Sequence, residues 1–149
     1  MTETYRELMQ LLHRAALLSD RVGERRFLAK AGVGRAMFLV LRTIAEAGER
    51  GPISQQSIAR RLSLTKGAVS RHVATAERNG WLTIEASPVS RRENALVLTE
   101  TGREVIARGR AVQREYEAVS DQAFDEDDVA AAVRTLRVMC ELLDKEDQS

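Results

Sequence analysis

Lys66, Ser70, Arg71 and Arg78 are the residues of this sequence best placed to do chemistry. They share one stretch, "TKGAVSRHVATAERN" at 65–79, that reads as a single helix. At about 100° per residue, Val69, Val73 and Ala76 fall on one side, with His72 at the margin. The opposite arc holds Gly67, Arg71, Ala74 and Arg78, with Ser70 at its shoulder. That arc is slim and carries a few donors. The major groove of DNA accepts one helix, and arginine and serine donate to base edges and phosphates there. Lys66 lies in the first turn, where a helix N-terminus also favours phosphate. The competing interpretation is a solvated helix face with incidental cations, because such patterns have many false positives.

A second group of donors follows. "SPVSRREN" at 87–94 has turn composition and places Arg91 and Arg92 beside Pro88 and Ser90. Arginines at a hairpin tip suit a narrow minor groove. The plain alternative is an ordinary polar turn. Two such features, adjacent in sequence and compatible in geometry, favour one DNA-binding unit. Ser54, Gln55, Thr65 and Gly67 complete the candidate DNA-binding set with Lys66, Ser70, Arg71, Ala74, Arg78, Arg91 and Arg92.

These residues need a frame, and the rest of the chain reads as one. Leu8, Leu11, Ala15, Leu18 and Val22 recur at helical spacing, and Gly32 in "KAGVG" can end that helix. A second helix is expected from about Arg35 to Ala47, with Met37, Leu39, Val40 and Ile44 inward; "AGERGP" breaks it. Ile53 suggests a short strand. Ser54 and Thr65 read as the N-caps of the next two helices, and Gly80 as the stop. "WLTIEA" at 81–86 and "ALVL" at 95–98 make a hairpin. Thr99 caps a long helix to about Ser120, with Val105, Val112, Tyr116 and Val119 on its stripe. Asp125 caps a last helix whose stripe is Val129, Val133, Leu136, Cys140 and Leu143. The fold class is therefore mainly α with a small β-hairpin wing: a winged helix-turn-helix core plus N- and C-terminal helices.

Composition narrows the function. The 149 residues carry a net charge of +1, so any basic surface must be local. A single cysteine rules out an internal disulfide and fits a reducing compartment. Two histidines and that cysteine, without ligand spacing, argue against a metal site or a Ser-His-Asp or Cys-His centre. No Gly-rich phosphate loop follows a strand. The expectation is a non-enzyme with no cofactor. No apolar run approaches the roughly 18 residues of a membrane span, and no secretion signal stands at the start. The expected location is the cytoplasm.

Three segments, "FLVLRTIAEAG" (38–48), "SQQSIARRLSLTKGAVSRHVATAERNGWL" (54–82) and "SRRENALVLTETG" (90–102), make the chain resemble the MarR family of bacterial transcription regulators. The resemblance covers nearly the whole chain. It implies a homodimer on a pseudo-palindromic double-stranded DNA operator, acting by family habit as a repressor. It carries a major-groove role onto Lys66, Ser70 and Arg71 and a minor-groove role onto Arg92. It also implies domains at 1–33 and 101–149 for dimerisation and at 34–100 for DNA binding. Two positions depart from the family pattern. Its wing usually has an aspartate that helps fix the arginine, where this chain has Ser90. Its second helix often starts with Thr/Ser-Pro, where Gly34 implies a cap weaker by ~1 kcal/mol.

Many relatives release DNA when a small aromatic or anionic compound binds between the dimer helices and the DNA-binding lobe. His13, Arg14, Arg42 and Tyr116 are the candidate effector-binding residues. Cys140 sits on an apolar stripe and is expected to be a buried, inert thiol. The oxidant-sensing relatives carry their cysteine in the first helix, where this chain has none. The alternative function, permitted by the near-neutral charge, is a winged-helix module that binds protein without sequence-specific DNA recognition.

Overall fold

The structure is a computed structural model that describes residues 2–48, 50–87 and 94–147. Its elements follow the expected order: α1 (Glu3–Ala31), α2 (Arg35–Gly48), α3 (Gln55–Leu62), α4 (Lys66–Arg78), β1 (Leu82–Ala86), β2 (Asn94–Leu98), α5 (Glu100–Ala123) and α6 (Glu126–Asp147). The chain divides into two units, Met1–Val112 and Gln113–Ser149.

Local chemistry explains where the helices of the first unit begin and end. The Thr2, Ser54 and Thr65 side chains accept from the backbone N–H groups of Tyr5, Ser57 and Ala68, satisfying donors that a helix leaves unpaired. Gly32, with φ 74°, terminates α1 in the left-handed conformation. Ser63 takes the same role after α3 with φ 51°, an unusual place for a residue with a Cβ. After α4 the Trp81 N–H reaches back to the Ala76 carbonyl at 2.9 Å, and Gly80 supplies the positive φ.

The core of the first unit gathers the inward faces of α2, α3, α4 and the first half of α5. Phe38, Leu41, Ile58, Leu82, Val69, Val73, Val105 and Val112 are almost fully buried. Phe27 of α1 joins them, its ring centroid 4.9 Å from that of Phe38. Met37, Val40 and Ile44 point inward as their spacing requires, and Leu39 packs against the core from its edge. The hairpin pairs antiparallel, with Leu82 opposite Leu98 and Ile84 opposite Leu96. Leu82 and Leu98 therefore sit side by side on the core face.

One residue holds the hairpin to α5. The Thr99 hydroxyl donates to the Gly80 carbonyl at 2.6 Å and accepts from the Gly102 N–H at 3.1 Å. The Thr99 N–H donates to the Trp81 carbonyl at 3.1 Å. That same carbonyl oxygen lies where a Cβ on Gly102 would stand, so only glycine permits the approach.

Three expectations need correction. Ile53 is not in a strand; it is buried and lies between Pro52 and the cap Ser54, which leave no length for pairing. Gly34 does not leave α2 poorly capped. The Glu24 carboxylate of α1 accepts from the Arg35 N–H at 2.8 Å. Cys140 is exposed rather than buried.

The second unit explains the exposed thiol. Asp125 caps α6 by accepting from the N–H groups of Asp127 and Asp128. None of the residues of α6 is buried, although it carries Val129, Val133, Leu136, Val138, Leu142 and Leu143. Cys140 is bare because its whole stripe is. The stripe of α5 divides in the same way: Val105 and Val112 are buried, Tyr116 is half-buried, and Val119 is 64% exposed.

Candidate nucleic-acid interface

Helix α4 separates two faces cleanly. Val69, Val73 and Ala76 are at most 1% exposed and anchor the helix in the core. Lys66, Gly67, Ser70, Arg71, Ala74 and Arg78 are all exposed. The anchoring face is apolar, and the outward face is thin except at its cations. His72 is half-buried at the boundary between them.

The outward donors differ in freedom. Arg78 Nη2 donates to Thr75 Oγ1 at 3.2 Å, which holds the guanidinium against the last turn. Lys66 and Arg71 form no ion pair with any described residue, so their charge faces solvent. Thr65 accepts from the Ala68 N–H at 3.1 Å as the cap, and its own hydroxyl hydrogen remains available. Ser54 is more committed. It accepts from the Ser57 N–H at 3.1 Å and donates to Ser57 Oγ at 3.0 Å. Gln55 is half-buried beside it.

Charge supports the outward face. Over residues 55–78 the sequence has five cations (Arg60, Arg61, Lys66, Arg71, Arg78) and one carboxylate (Glu77), against +1 for the whole chain. All six side chains are exposed. The two helices of the helix-turn-helix therefore carry a local excess of positive charge. Arg91 and Arg92, with Pro88 and Ser90, lie outside the described residues. The hairpin is described up to the pair Ala86–Asn94.

The four effector candidates are dispersed over three helices. His13 and Arg14 are exposed on α1. Arg42 is half-buried on α2, its guanidinium 5.5 Å from the Phe38 ring centroid and 3.5 Å from the Glu46 carboxylate. Tyr116 is half-buried in the second unit. A cavity of about 610 Å³ opens instead where α2 ends and α3 begins, with Glu46, Arg50, Ser54 and Arg61 in its wall. None of the four candidates lines it. Among the described residues no three His, Cys, Asp or Glu side chains gather as a metal site would require, and no helix is long and apolar enough to cross a membrane.

Two contacts that tie α1 to its neighbours were not legible in the sequence. Arg108 Nε donates to the Ala31 carbonyl at 3.1 Å, tying α5 to the end of α1. Arg35 Nη1 meets Asp20 Oδ1 at 2.8 Å, tying α2 to α1. No local pattern announces contacts between residues 77 and 15 positions apart; Gly23, where a Cβ would stand 3.0 Å from Arg35 Cδ, was the available signal for the second.

Comparison with known proteins agrees with this arrangement. Residues 31–93 match the family model described as "MarR family". No curated protein matches the chain. Among solved structures, a MarR family transcriptional regulator from Streptomyces coelicolor, in complex with DNA, is similar at a TM-score of 0.83 and 24% identity. That match covers 96% of this chain and 93% of that one. CouR from Rhodococcus jostii, bound to p-coumaroyl-CoA, is similar at 0.78 and 18% identity, over 93% of this chain and 95% of its own. The transcriptional regulator BldR from Sulfolobus solfataricus is similar at 0.77 and 20% identity, over 95% and 99%. At these identities the likeness is one of fold.

Proposed function

From the premise that residues 31–93 are a MarR-family segment, in a chain with the fold of MarR family regulators, we propose that this protein is a dimeric DNA-binding transcriptional regulator. It represses by occupying a pseudo-palindromic operator. Helix α4 enters the major groove, and the wing at 87–94 reaches the minor groove with Arg91 and Arg92. The observation that carries this reading is the α4 face on which Lys66, Ser70, Arg71 and Arg78 stand exposed around Gly67 and Ala74.

Two copies act together in this proposal. Leu8, Leu11 and Leu18 on α1, and Val129, Val133, Leu136 and Leu143 on α6, are exposed in one chain. An exposed apolar stripe on an amphipathic helix marks an interaction surface, and a second copy is the simplest occupant. Residues 1–33 and 101–149 supply that contact, and 34–100 the DNA-binding lobe. Pairing doubles the base contacts and matches a two-fold site. The protein works in the cytoplasm, is not an enzyme and needs no cofactor.

CouR is bound to p-coumaroyl-CoA in its structure, an aromatic and anionic compound. Release by a small aromatic or anionic effector is the corresponding proposal here, with His13, Arg14, Arg42 and Tyr116 as the residues to test. The effector acts by binding the DNA-free arrangement better than the bound one.

Selection of genomic fragments with the purified protein tests the whole reading. The expected result is one or a few fragments sharing an inverted repeat, with half-sites about 10 bp apart centre to centre. Failure to enrich any sequence above bulk DNA overturns the proposal and leaves a winged-helix protein-interaction module in its place.

A further inference from the structure

The end of α1 and the start of α2 are joined by an arrangement that the proposed DNA contacts do not use. Glu24 accepts the Arg35 backbone N–H at 2.8 Å, so a side chain of one helix caps the next. The Arg35 guanidinium turns back to Asp20 at 2.8 Å, one turn earlier on the same face of α1. Two glycines make the space. A Cβ on Gly34 would collide with the Glu24 carboxylate, and one on Gly23 would stand 3.0 Å from Arg35 Cδ. Between the helices, Gly32 is left-handed and Val33 is buried.

We propose that Asp20, Glu24, Gly34 and Arg35 form a clasp that sets the angle between α1 and the DNA-binding lobe, and thereby the separation of the two recognition helices. This rests on the regulator reading above. The clasp touches no DNA; its members are positioning residues. Helix α1 carries Leu8, Leu11 and Leu18 toward the second copy, while α2 belongs to the core that holds α4. Gly32 gives the connection a backbone without side-chain restraint. The Glu24 cap is a charge-assisted bond to a helix N-terminus, stronger than the exposed Asp20–Arg35 pair alone. A lobe that swings freely occupies the binding-competent separation only part of the time, and apparent affinity falls by that fraction.

Full-length parent, Glu24→Ala, Gly34→Ala and the double variant are titrated on a selected operator and on copies with one base pair added or removed between half-sites. Circular dichroism checks folding, with Glu24→Gln as the milder substitute should Glu24→Ala not fold. Glu24→Ala and Gly34→Ala should each weaken operator binding about 2- to 30-fold. The penalty for altered spacing should shrink and the salt slope should stay parental. Gly34→Ala changes no charge and acts by displacing the carboxylate, so in the double variant it should add little to Glu24→Ala. Folded variants with parental affinity, or with weakened binding but parental spacing preference, overturn the clasp. A parent that binds no fragment overturns the regulator reading instead.

Discussion

Arg71 and Arg92 are the same residue type with different proposed tasks. Arg71 projects from a helix whose opposite face is fixed in the core, so its guanidinium is held outward as the proposed base contact requires. Arg71→Ala is expected to weaken specific binding by about 1–3 kcal/mol and to relax preference at one base position, measured by titration against single-base operator variants. Arg92 is proposed to meet the minor groove. Arg92→Ala should weaken binding across sequences and reduce the salt slope by about 1, read from affinity against salt concentration. Parental behaviour of both variants would refute the assigned contacts. Ser63 makes a prediction of another kind. Its φ of 51° strains a residue with a Cβ. Ser63→Gly should raise unfolding stability by about 0.5 kcal/mol in urea titration, because relief of that strain exceeds the added freedom of the unfolded chain.

At the scale of elements, Thr99 joins three of them. It ends β2, caps α5, and bonds to the turn after α4. Thr99→Val keeps the shape and removes the hydroxyl, leaving the Gly102 N–H without its cap and the Gly80 carbonyl without its donor. A loss of about 1–2 kcal/mol is expected from thermal or denaturant unfolding. Gly102→Ala should cost more than Thr99→Val, since the added methyl meets the backbone oxygen of Trp81, which cannot turn aside as a side chain would. The opposite order would show that the hairpin can shift away from α5. Caps were the most legible elements in the sequence, because a cap is decided within three or four residues. Ser54, Thr65, Thr99 and Asp125 could all be assigned by inspection. The cap of α2 could not, because Glu24 lies eleven positions from the N–H it accepts.

At the scale of the molecule, the bare stripe of α6 is the surface the proposed dimer would cover. In the proposed dimer, light scattering at micromolar concentration should give twice the chain mass, and Tm should rise with concentration. Val133→Glu puts a carboxylate on that stripe, at a side chain that is 48% exposed. It should lower the mass toward one chain, remove the concentration dependence of Tm, and weaken operator binding at least tenfold, on the order of the affinity a second half-site adds. A parent that scatters as a monomer would contradict the dimer directly.

The sequence by itself determined what depends on neighbours along the chain. Helical periodicity separated the Val69–Val73–Ala76 face from the Gly67–Arg71–Ala74–Arg78 arc, and alternation marked the hairpin. Fold class followed, because short-range hydrogen bonding and apolar spacing already select it. Tertiary structure decided what depends on residues far apart. The stripes of α5 and α6 read alike in one dimension, yet Val105 and Val112 are covered and Val129 to Leu143 are not. Periodicity says that a helix has an apolar face; only packing says whether this chain supplies the surface to bury it. The same limit hid the Glu24 cap and led to a strand being expected at Ile53. A carboxylate's partner, and a strand's, must be present in space, and their distance along the chain does not reveal it.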